Sequence, residues 1–409
     1  MSELPNAAMV AARRTSLSAL IGAAFIMATS AIGPGFLTQT AVFTQQFKAD
    51  FAFAILASII LDIGAQMNTW RVIGYTGLRG QDIGNRVLPG LGTVIAVLIV
   101  IGGLAFNIGN IAGAGLGLNV LFGLDVKWMA AVSGVIGILI FLAKNAGPVM
   151  DRFAQILGAL MILVVLYVML TSHPPVGQAI VSSVSPSMGY NALMLPMITL
   201  IGGTVGGYIM FAGGHRLVDA GITGKENLGR IARASLTGVL ITGLMRIILF
   251  LAILGVVAAG HTLAKSNPPA SAFQFALGDL GYKFFGIVLW SASITSVVGA
   301  AYTSASFLRG FGRWFRDHQA ATIIGFIVFS TLVFILYGQP VKVLVVVGSL
   351  NGLILPLTLL TMLIAAANKR IMGADYRHPV WLYVFGVIAL IATAYAGISS
   401  LGNIASLLH

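Results

Sequence analysis

The sequence predicts an all-α integral membrane protein of about eleven transmembrane helices, and three observations lead there. The 409 residues are 58% hydrophobic and only 8% charged, with a mean hydropathy of +0.98, which is more apolar surface than one water-soluble core can hide. Runs of 17 to 25 mostly apolar residues recur along the whole length, each long enough to cross roughly 30 Å of hydrocarbon as a helix. The short alternating segments of a spanning β-barrel are absent.

Charged residues bound the apolar runs in order. Span 1, at 17–44, follows Arg13 and Arg14; it is too long for a cleavable signal peptide and has no small-x-small cleavage site, so it is expected to stay as a membrane helix. Span 2 (52–70) lies between Asp50 and Arg71, span 3 (92–120) between Arg86 and Asp125, and span 4 (128–143) between Lys127 and Lys144. Span 5 (153–171) follows Arg152 and runs into Pro174-Pro175, and span 6 (191–212) follows Pro186 and closes before His215-Arg216. Span 7 (235–259) follows Arg233, span 8 (284–308) lies between Lys283 and Arg309, and span 9 (320–337) follows Asp317. Span 10 (342–367) closes on Lys369-Arg370, and span 11 (380–402) follows Arg377. Polar connections are expected near 171–190, 213–233 and 260–280, and nothing reads as a soluble domain.

The formal charge of +12 sorts by side rather than marking a nucleic-acid binder. With these spans, 17 basic residues fall on the N-terminal side: Arg13, Arg14, Arg71, Arg79, Arg86, Lys144, Arg152, Arg216, Lys225, Arg230, Arg233, Arg309, Arg313, Arg316, Lys369, Arg370 and Arg377. Only 5, namely Lys48, Lys127, Lys265, Lys283 and Lys342, fall opposite. The positive-inside rule then puts the N-terminus in the cytoplasm and the C-terminus outside, in a bacterial-type inner (plasma) membrane. No cysteine is present, which removes thiolate metal sites. The six histidines are scattered and no nucleophile–base pair stands out, so an enzyme is not expected.

Two spans carry clustered helix breakers. Span 1 has Gly33-Pro34-Gly35 followed by Thr38, Gln39 and Thr40, and span 6 has Gly202-Gly203-Thr204-Val205-Gly206-Gly207-Tyr208. These positions correspond if spans 1–5 and 6–10 are related halves. Broken helices at the start of two inverted repeats expose backbone groups at mid-membrane, where they can replace a solute's hydration shell. The competing reading is that the glycines only let helices pack closely.

Residues 32–37 (Ile-Gly-Pro-Gly-Phe-Leu), Gln66 with Arg71 and Gly74, Gly113 with residues 118–123, residues 201–204, and residues 368–373 (Asn-Lys-Arg-Ile-Met-Gly) occur in an order and spacing that resembles the NRAMP family of metal transporters. The resemblance covers nearly the whole chain. It implies a LeuT-type 5+5 inverted repeat with broken helices 1 and 6. The expected organisation is a cytoplasmic tail at 1–16, a first repeat at 17–171, an external loop at 172–190, a second repeat at 191–367, and helix 11 with the C-terminus at 368–409.

The family holds its metal with Asp-Pro-Gly-Asn on helix 1 and Met-Pro-His on helix 6. Counted without gaps, the first motif falls here on Thr44, Gln45, Gln46 and Phe47, and the second on Gly206, Gly207 and Tyr208. A slip of a few residues brings Gln39 to the centre instead. The carboxylate, carboxamide and thioether are missing, and a divalent cation needs charge neutralisation and several donors. The acidic pair that the family places on helix 3 falls on Asn107 and Asn110, which cannot exchange protons near neutral pH. No metal site and no cofactor is expected. The chain is most similar to a divergent branch carrying the stretch Ala28 to Ala41 and Gly-Gly-Tyr on helix 6. Members of that branch are often encoded beside 5-oxoprolinase subunits, which implies a small cyclic carboxylate such as 5-oxoproline.

Only Asp62 in span 2 and Arg246 in span 7 are charges deep in the membrane. A lone charge there is costly, so a partner or a wet cavity is expected for each. They read as a bundle ion pair or, alternatively, as an anion-attracting arginine and a proton or Na⁺ site. Ser291, Ser293, Thr295, Ser296 and Asn351 read as hydrogen-bonding glue between helices.

These readings converge on a secondary-active transporter working by alternating access. The candidate substrate contacts are Thr38, Gln39, Thr40, Thr44, Gln45, Gly203, Thr204, Gly206, Gly207 and Tyr208, and the coupling or gating candidates are Asp62, Asn107, Asn110 and Arg246. The expected partners are the lipid bilayer and a small solute, with H⁺ or Na⁺ as coupling ion and a monomer as functional unit. The alternative substrate is a divalent metal cation of the Mg or Mn type, carried partly hydrated.

Overall fold

The computed structural model describes residues 31–143 and 146–408. The expected tail at 1–16, the opening of span 1 at 17–30, Lys144, the side chains of Asp151 and Arg152, and His409 lie outside the described residues. The long helices are α1 (Pro34–Phe47), α2 (Phe51–Thr76), α3 (Leu91–Phe122), α4 (Val126–Leu142), α5 (Ala146–Thr171), α6a (Met194–Thr204) and α6b (Ile209–Asp219). They continue with α7 (Leu228–Ala258), α8 (Pro268–Leu308), α9 (Gln319–Tyr337), α10 (Pro340–Ala367) and α11 (Val380–Leu408). No strand occurs among the described residues.

Each expected span meets one of these helices, span 1 in its second half only. By length and apolarity alone, seven described helices qualify as membrane crossings. The number is eight if α5 and the short helix Val176–Ser182, bent 103° from it, form one span.

Proline and glycine set several boundaries. Pro34 opens α1 after an extended Gly33, where its missing N–H is harmless and its fixed φ suits a first helical turn. Left-handed glycines end α2 at Gly77, α3 at Gly123 and α9 at Gly338.

Two expected loops are helical. Residues 213–219 continue α6b, and α8 begins at Pro268 rather than 284. The side chain of Asn267 caps α8 by accepting from the Ala270 amide, two prolines occupy its first turn, and Gly278 (φ 64°) kinks it. Pro-Pro and Gly read as a connection in sequence because helix start signals and loop signals use the same residues.

The most extensive helix contact joins α3 to α8. Ideal β-carbons on Gly117 and Gly286 would fall 2.6 Å from the Trp290 amide nitrogen and from a Val120 methyl. The backbones therefore touch, as small residues allow in membranes. A second close crossing sets α6a against α10, where a β-carbon on Gly202 would overlap the Gly348 carbonyl oxygen and come within 2.8 Å of the Gly352 Cα.

Helix ends gather at two faces. At one end, Arg79 pairs with Asp219 at 2.8 Å, the only ion pair within 4 Å among the described residues, and His215 Nε2 accepts from the Gly80 amide at 3.0 Å. At the other end, the close of α1 meets the starts of α4, α6a and α10.

Candidate functional site

The first break lies at Ile32 and Gly33, immediately before α1. Pro34 packs on Gly113 of α3. A β-carbon on Gly33 would be 3.7 Å from Ser296 Oγ of α8 and 3.8 Å from Asn110 Oδ1 of α3, so this break faces the α3–α8 wall.

The second break, Val205–Tyr208, separates α6a from α6b. The Val205 and Gly206 amides both donate to the Ile201 carbonyl, closing α6a. Gly207 then takes φ +55°, and a β-carbon there would overlap Asn351 Oδ1 of α10. A left-handed residue with no room for a side chain has to be glycine. The Gly207 and Tyr208 amides have no backbone partner among the described residues. They stand at the N-terminus of α6b, where unpaired N–H groups and the helix dipole favour negative charge. Tyr208 is buried, with its ring edge-on to Phe106 at 5.5 Å.

Gln39 links the two halves. Its Nε2 donates to the Leu344 carbonyl of α10 at 2.8 Å, while its Oε1 lies where a Gly203 β-carbon would crowd it at 2.9 Å. That oxygen has no hydrogen-bond partner among the described residues, and neither have Thr38 Oγ1, Asn110 Nδ2, Ser291 Oγ, Ser304 Oγ or Asn351 Oδ1. All are buried. Each unmet polar atom costs about 1–3 kcal/mol, and hydrocarbon offers no relief; those of Gln39, Asn110 and Asn351 lie at the breaks, against Gly203, Gly33 and Gly207, where a polar solute could meet them.

Asp62 and Arg246 line one narrow interstice, too tight to admit a water, with Ser58, Thr204 and Thr242. They do not form the expected direct ion pair. No nitrogen–oxygen approach within 4 Å joins them, and Asp62 Oδ1 and Arg246 Nε and Nη2 lack partners among the described residues. The physical reason is that Arg246 reaches elsewhere. Its Cζ lies 4.1 Å from the Phe36 ring centroid of α1, and its Nη1 makes a long 3.4 Å bond to the Leu200 carbonyl of α6a. The guanidinium thus touches both half-helices that flank the breaks.

The structure brings together Gln39, Gly203, Gly206 and Gly207, with Tyr208 next in the chain and Asn110 beside the first break; Thr38 is buried in α1, its hydroxyl without a partner among the described residues. Thr40 and Thr44 are buried, but their hydroxyls donate to Phe36 and Thr40 carbonyls one turn back in their own helix. Gln45 is held outside the cluster, accepting from the Leu263 amide at 2.9 Å. Twelve residues beyond Gly33 are about 18 Å along a helix, so the gap-free register carries Thr44 and Gln45 to the mouth and leaves Gln39 nearest the centre. Thr204 bonds within α6a and faces the Asp62–Arg246 interstice. Asn107 turns to α9, donating to Ser330 Oγ at 3.2 Å.

Sequence reading treated Asn351 only as glue. The signal that marked it was the run Gly348-Ser349-Leu350-Asn351-Gly352 in an otherwise apolar helix, whose two glycines accept the α6a backbone.

Seven described helices long and apolar enough to cross a membrane, with polar centres buried at the start of α1 and at the break between α6a and α6b, mark a multi-pass membrane protein. The sequence matches the natural resistance-associated macrophage protein-like family over residues 24–402, and the chain belongs to that family of membrane transporters. It is 58% identical over 386 residues to the uncharacterized membrane protein YcsG of Bacillus subtilis (strain 168), covering 94% of this chain and 95% of that protein. It superposes on the Eremococcus coleocola manganese transporter with a TM-score of 0.72 at 18% identity, covering 98% of this chain and 89% of the other. For MhsT, solved in complex with L-phenylalanine, the TM-score is 0.69 at 18% identity, with 93% and 98% covered. The fold is the LeuT-type arrangement that the resemblance implied.

Proposed function

We propose that this transporter carries a small polar or anionic organic solute of the 5-oxoproline class, by alternating access, across the bacterial inner membrane. The N-terminus is cytoplasmic, the C-terminus external, the functional unit a monomer and the coupling ion H⁺ or Na⁺. One observation carries the reading: the unpartnered buried atoms at the breaks, on Gln39, Asn110 and Asn351, are neutral amides, and the neighbouring Asp62 and Arg246 are of opposite sign and supply no net negative charge, a set suited to hydrogen-bonding an organic solute and poor at neutralising a dication. The free amides of Gly207 and Tyr208 at the α6b N-terminus add a place for a carboxylate. Gln39 is the contact that spans both halves, and Arg246, touching α1 and α6a, would report solute charge to the helices that move.

Uptake of labelled 5-oxoproline into proteoliposomes tests this. Gln39→Ala removes one hydrogen bond to α10 and one free acceptor, at about 1 kcal/mol each, so an uptake loss of roughly tenfold or more is expected. Robust Mn²⁺ uptake with no carboxylate uptake sinks the proposal. That second reading, a divalent cation, is favoured by family membership and by the likeness to a manganese transporter. Calorimetric titration with Mn²⁺ decides it, and an absence of binding removes it.

A further inference from the structure

At the end of the molecule away from the Arg79–Asp219 pair lies a cavity of about 910 Å³. Lys127, Lys265 and Lys342 stand in its wall, and Asp125 is the only acid there. Sequence sidedness assigns just five basic residues to this end, so three of the five share one cavity. Of the other two, Lys283 is committed to the α3 C-terminus, where its Nζ donates to the Val120 and Leu121 carbonyls at 2.7 and 2.8 Å. Lys48 is exposed at the α1 end, outside the cavity wall. Asp125 is itself engaged, its Oδ1 accepting from the Lys127 amide at 2.8 Å as the α4 cap.

The backbone adds to the side chains. The wall includes the starts of α4 (Val126), α6a (Leu195) and α10 (Pro340), and each helix N-terminus carries about half a positive charge. The C-terminal turn of α1, at Gln46 and Phe47, the close of α9 at Gly338 and Asn403 near the end of α11 oppose them. Helix starts and helix ends thus roughly cancel, and three ammonium groups against the single Asp125 carboxylate make the cavity electropositive. Its floor is Val42 and Phe43 of α1 and Val345 of α10. Val345 adjoins Leu344, whose carbonyl holds the Gln39 amide, so the cavity ends one residue from the candidate site.

We propose that this cavity is an anion-collecting antechamber that concentrates small monoanionic carboxylates at the mouth between α1 and α10 before they reach the breaks. It rests on the proposed solute class and deepens it. An electropositive mouth raises the local concentration of anions and excludes dications, with a strength that falls with salt.

The natural chain has no cysteine, so Ser266→Cys in the cavity wall provides a sole thiol. Its reaction rates with anionic sulfonatoethyl and cationic trimethylammonioethyl methanethiosulfonate are measured in proteoliposomes. The ratio is normalised to that of free cysteine. In each reaction the thiolate displaces methanesulfinate to form a mixed disulfide, so no other reactant is needed. The anionic reagent is expected to be favoured by about threefold to tenfold, a preference that Lys127→Gln/Lys265→Gln/Lys342→Gln abolishes and the corresponding triple Arg variant keeps. For 5-oxoproline uptake, the Gln triple should raise KM by a similar factor with kcat retained. A normalised ratio near one, or one indifferent to the Gln triple, overturns the antechamber while carboxylate uptake leaves the proposed function standing. Anion preference in a protein that moves no small carboxylate overturns the solute reading and the antechamber's role with it.

Discussion

Gly202 and Gly203 are neighbours on one turn of α6a, yet alanine should affect them in opposite ways. A β-carbon on Gly202 overlaps the Gly348 carbonyl oxygen and sits 2.8 Å from the Gly352 Cα, both backbone atoms of α10. Ordinary contact begins at 3.4 Å, and the Gly348 carbonyl oxygen is the closest of these atoms, so α10 must retreat by more than about 1 Å. A gap of that size forfeits roughly half of the dispersion energy of the atoms it separates, and overpacking costs about 1–3 kcal/mol. Gly202→Ala should therefore cost about 3 kcal/mol. On Gly203 the only contact below 3.4 Å is Gln39 Oε1 at 2.9 Å, the tip of a flexible side chain. Alanine is also the better helix former, by about 1 kcal/mol. Gly203→Ala should thus melt at or above the wild-type temperature while losing solute uptake, because its methyl occupies the space between the halves. Thermal unfolding of the purified proteins by intrinsic fluorescence, alongside proteoliposome uptake, checks both. If Gly203→Ala is destabilised as much as Gly202→Ala, or if Gly202→Ala is tolerated, the α6a–α10 crossing described here is refuted.

Arg246→Met removes the Leu200 hydrogen bond, the Phe36 contact and the cation that shares an interstice with Asp62, and should cost about 1.5–3 kcal/mol; Asp62→Asn/Arg246→Met should recover part of that, and thermal unfolding in which the double variant equals the sum of the singles would argue against any coupling. At the entry to α11, Arg71 donates to Tyr376, whose hydroxyl bonds His378 Nδ1 at 2.7 Å, while His378 Nε2 donates to Asn68 Oδ1 at 2.8 Å. Burial, then the Arg71 charge, pushes the His378 pKa down to about 4 from 6.5. The unfolded state therefore binds more protons between those values, and stability should fall as pH drops from about 6.5 toward 4. His378→Gln should flatten the dependence of melting temperature on pH in that window. Burial tends to raise the Asp50 pKa, but hydrogen bonds outweigh it, chiefly from the Ser187 hydroxyl and the Met188 amide, and hold the carboxyl below 3.8. Its contribution is present above the unfolded value and lost as pH falls through the folded one. Ser187→Ala should cost about 1.5 kcal/mol at neutral pH, read from urea unfolding, and nothing once Asp50 is protonated.

The spans and both breaks were legible in the sequence because a glycine–proline cluster inside an apolar run has few physical uses. At Gly202–Gly207 the two competing readings turned out to be one. Gly202 permits close packing on α10, and Gly207 supplies the left-handed turn that ends a half-helix. What sequence could not give was anything that depends on a partner. Asn351 looked like glue until α10 was set against the Gly207 turn. Gln45 looked like a site residue until the length of α1 carried it to the Leu263 amide. Asp62 and Arg246 looked like a pair because their spans correspond, but Phe36 and Leu200 compete for the guanidinium. The register of the first break failed for a simpler reason. Counting from Gly33 to a distant motif assumed that the motif's place is the break, whereas here Gly33 itself is.

The glycine-lined contact between α3 and α8 has a consequence for how any cargo passes. Two backbones in direct touch, with Trp290 and Val120 filling the notches opposite Gly117 and Gly286, leave no smooth face along which one helix can slide. The pair is a fixed post. Under the proposed alternating access, the motion would fall to α1 and α6 against that post, and a bulkier residue at Gly117 should impair transport without touching the cargo at all.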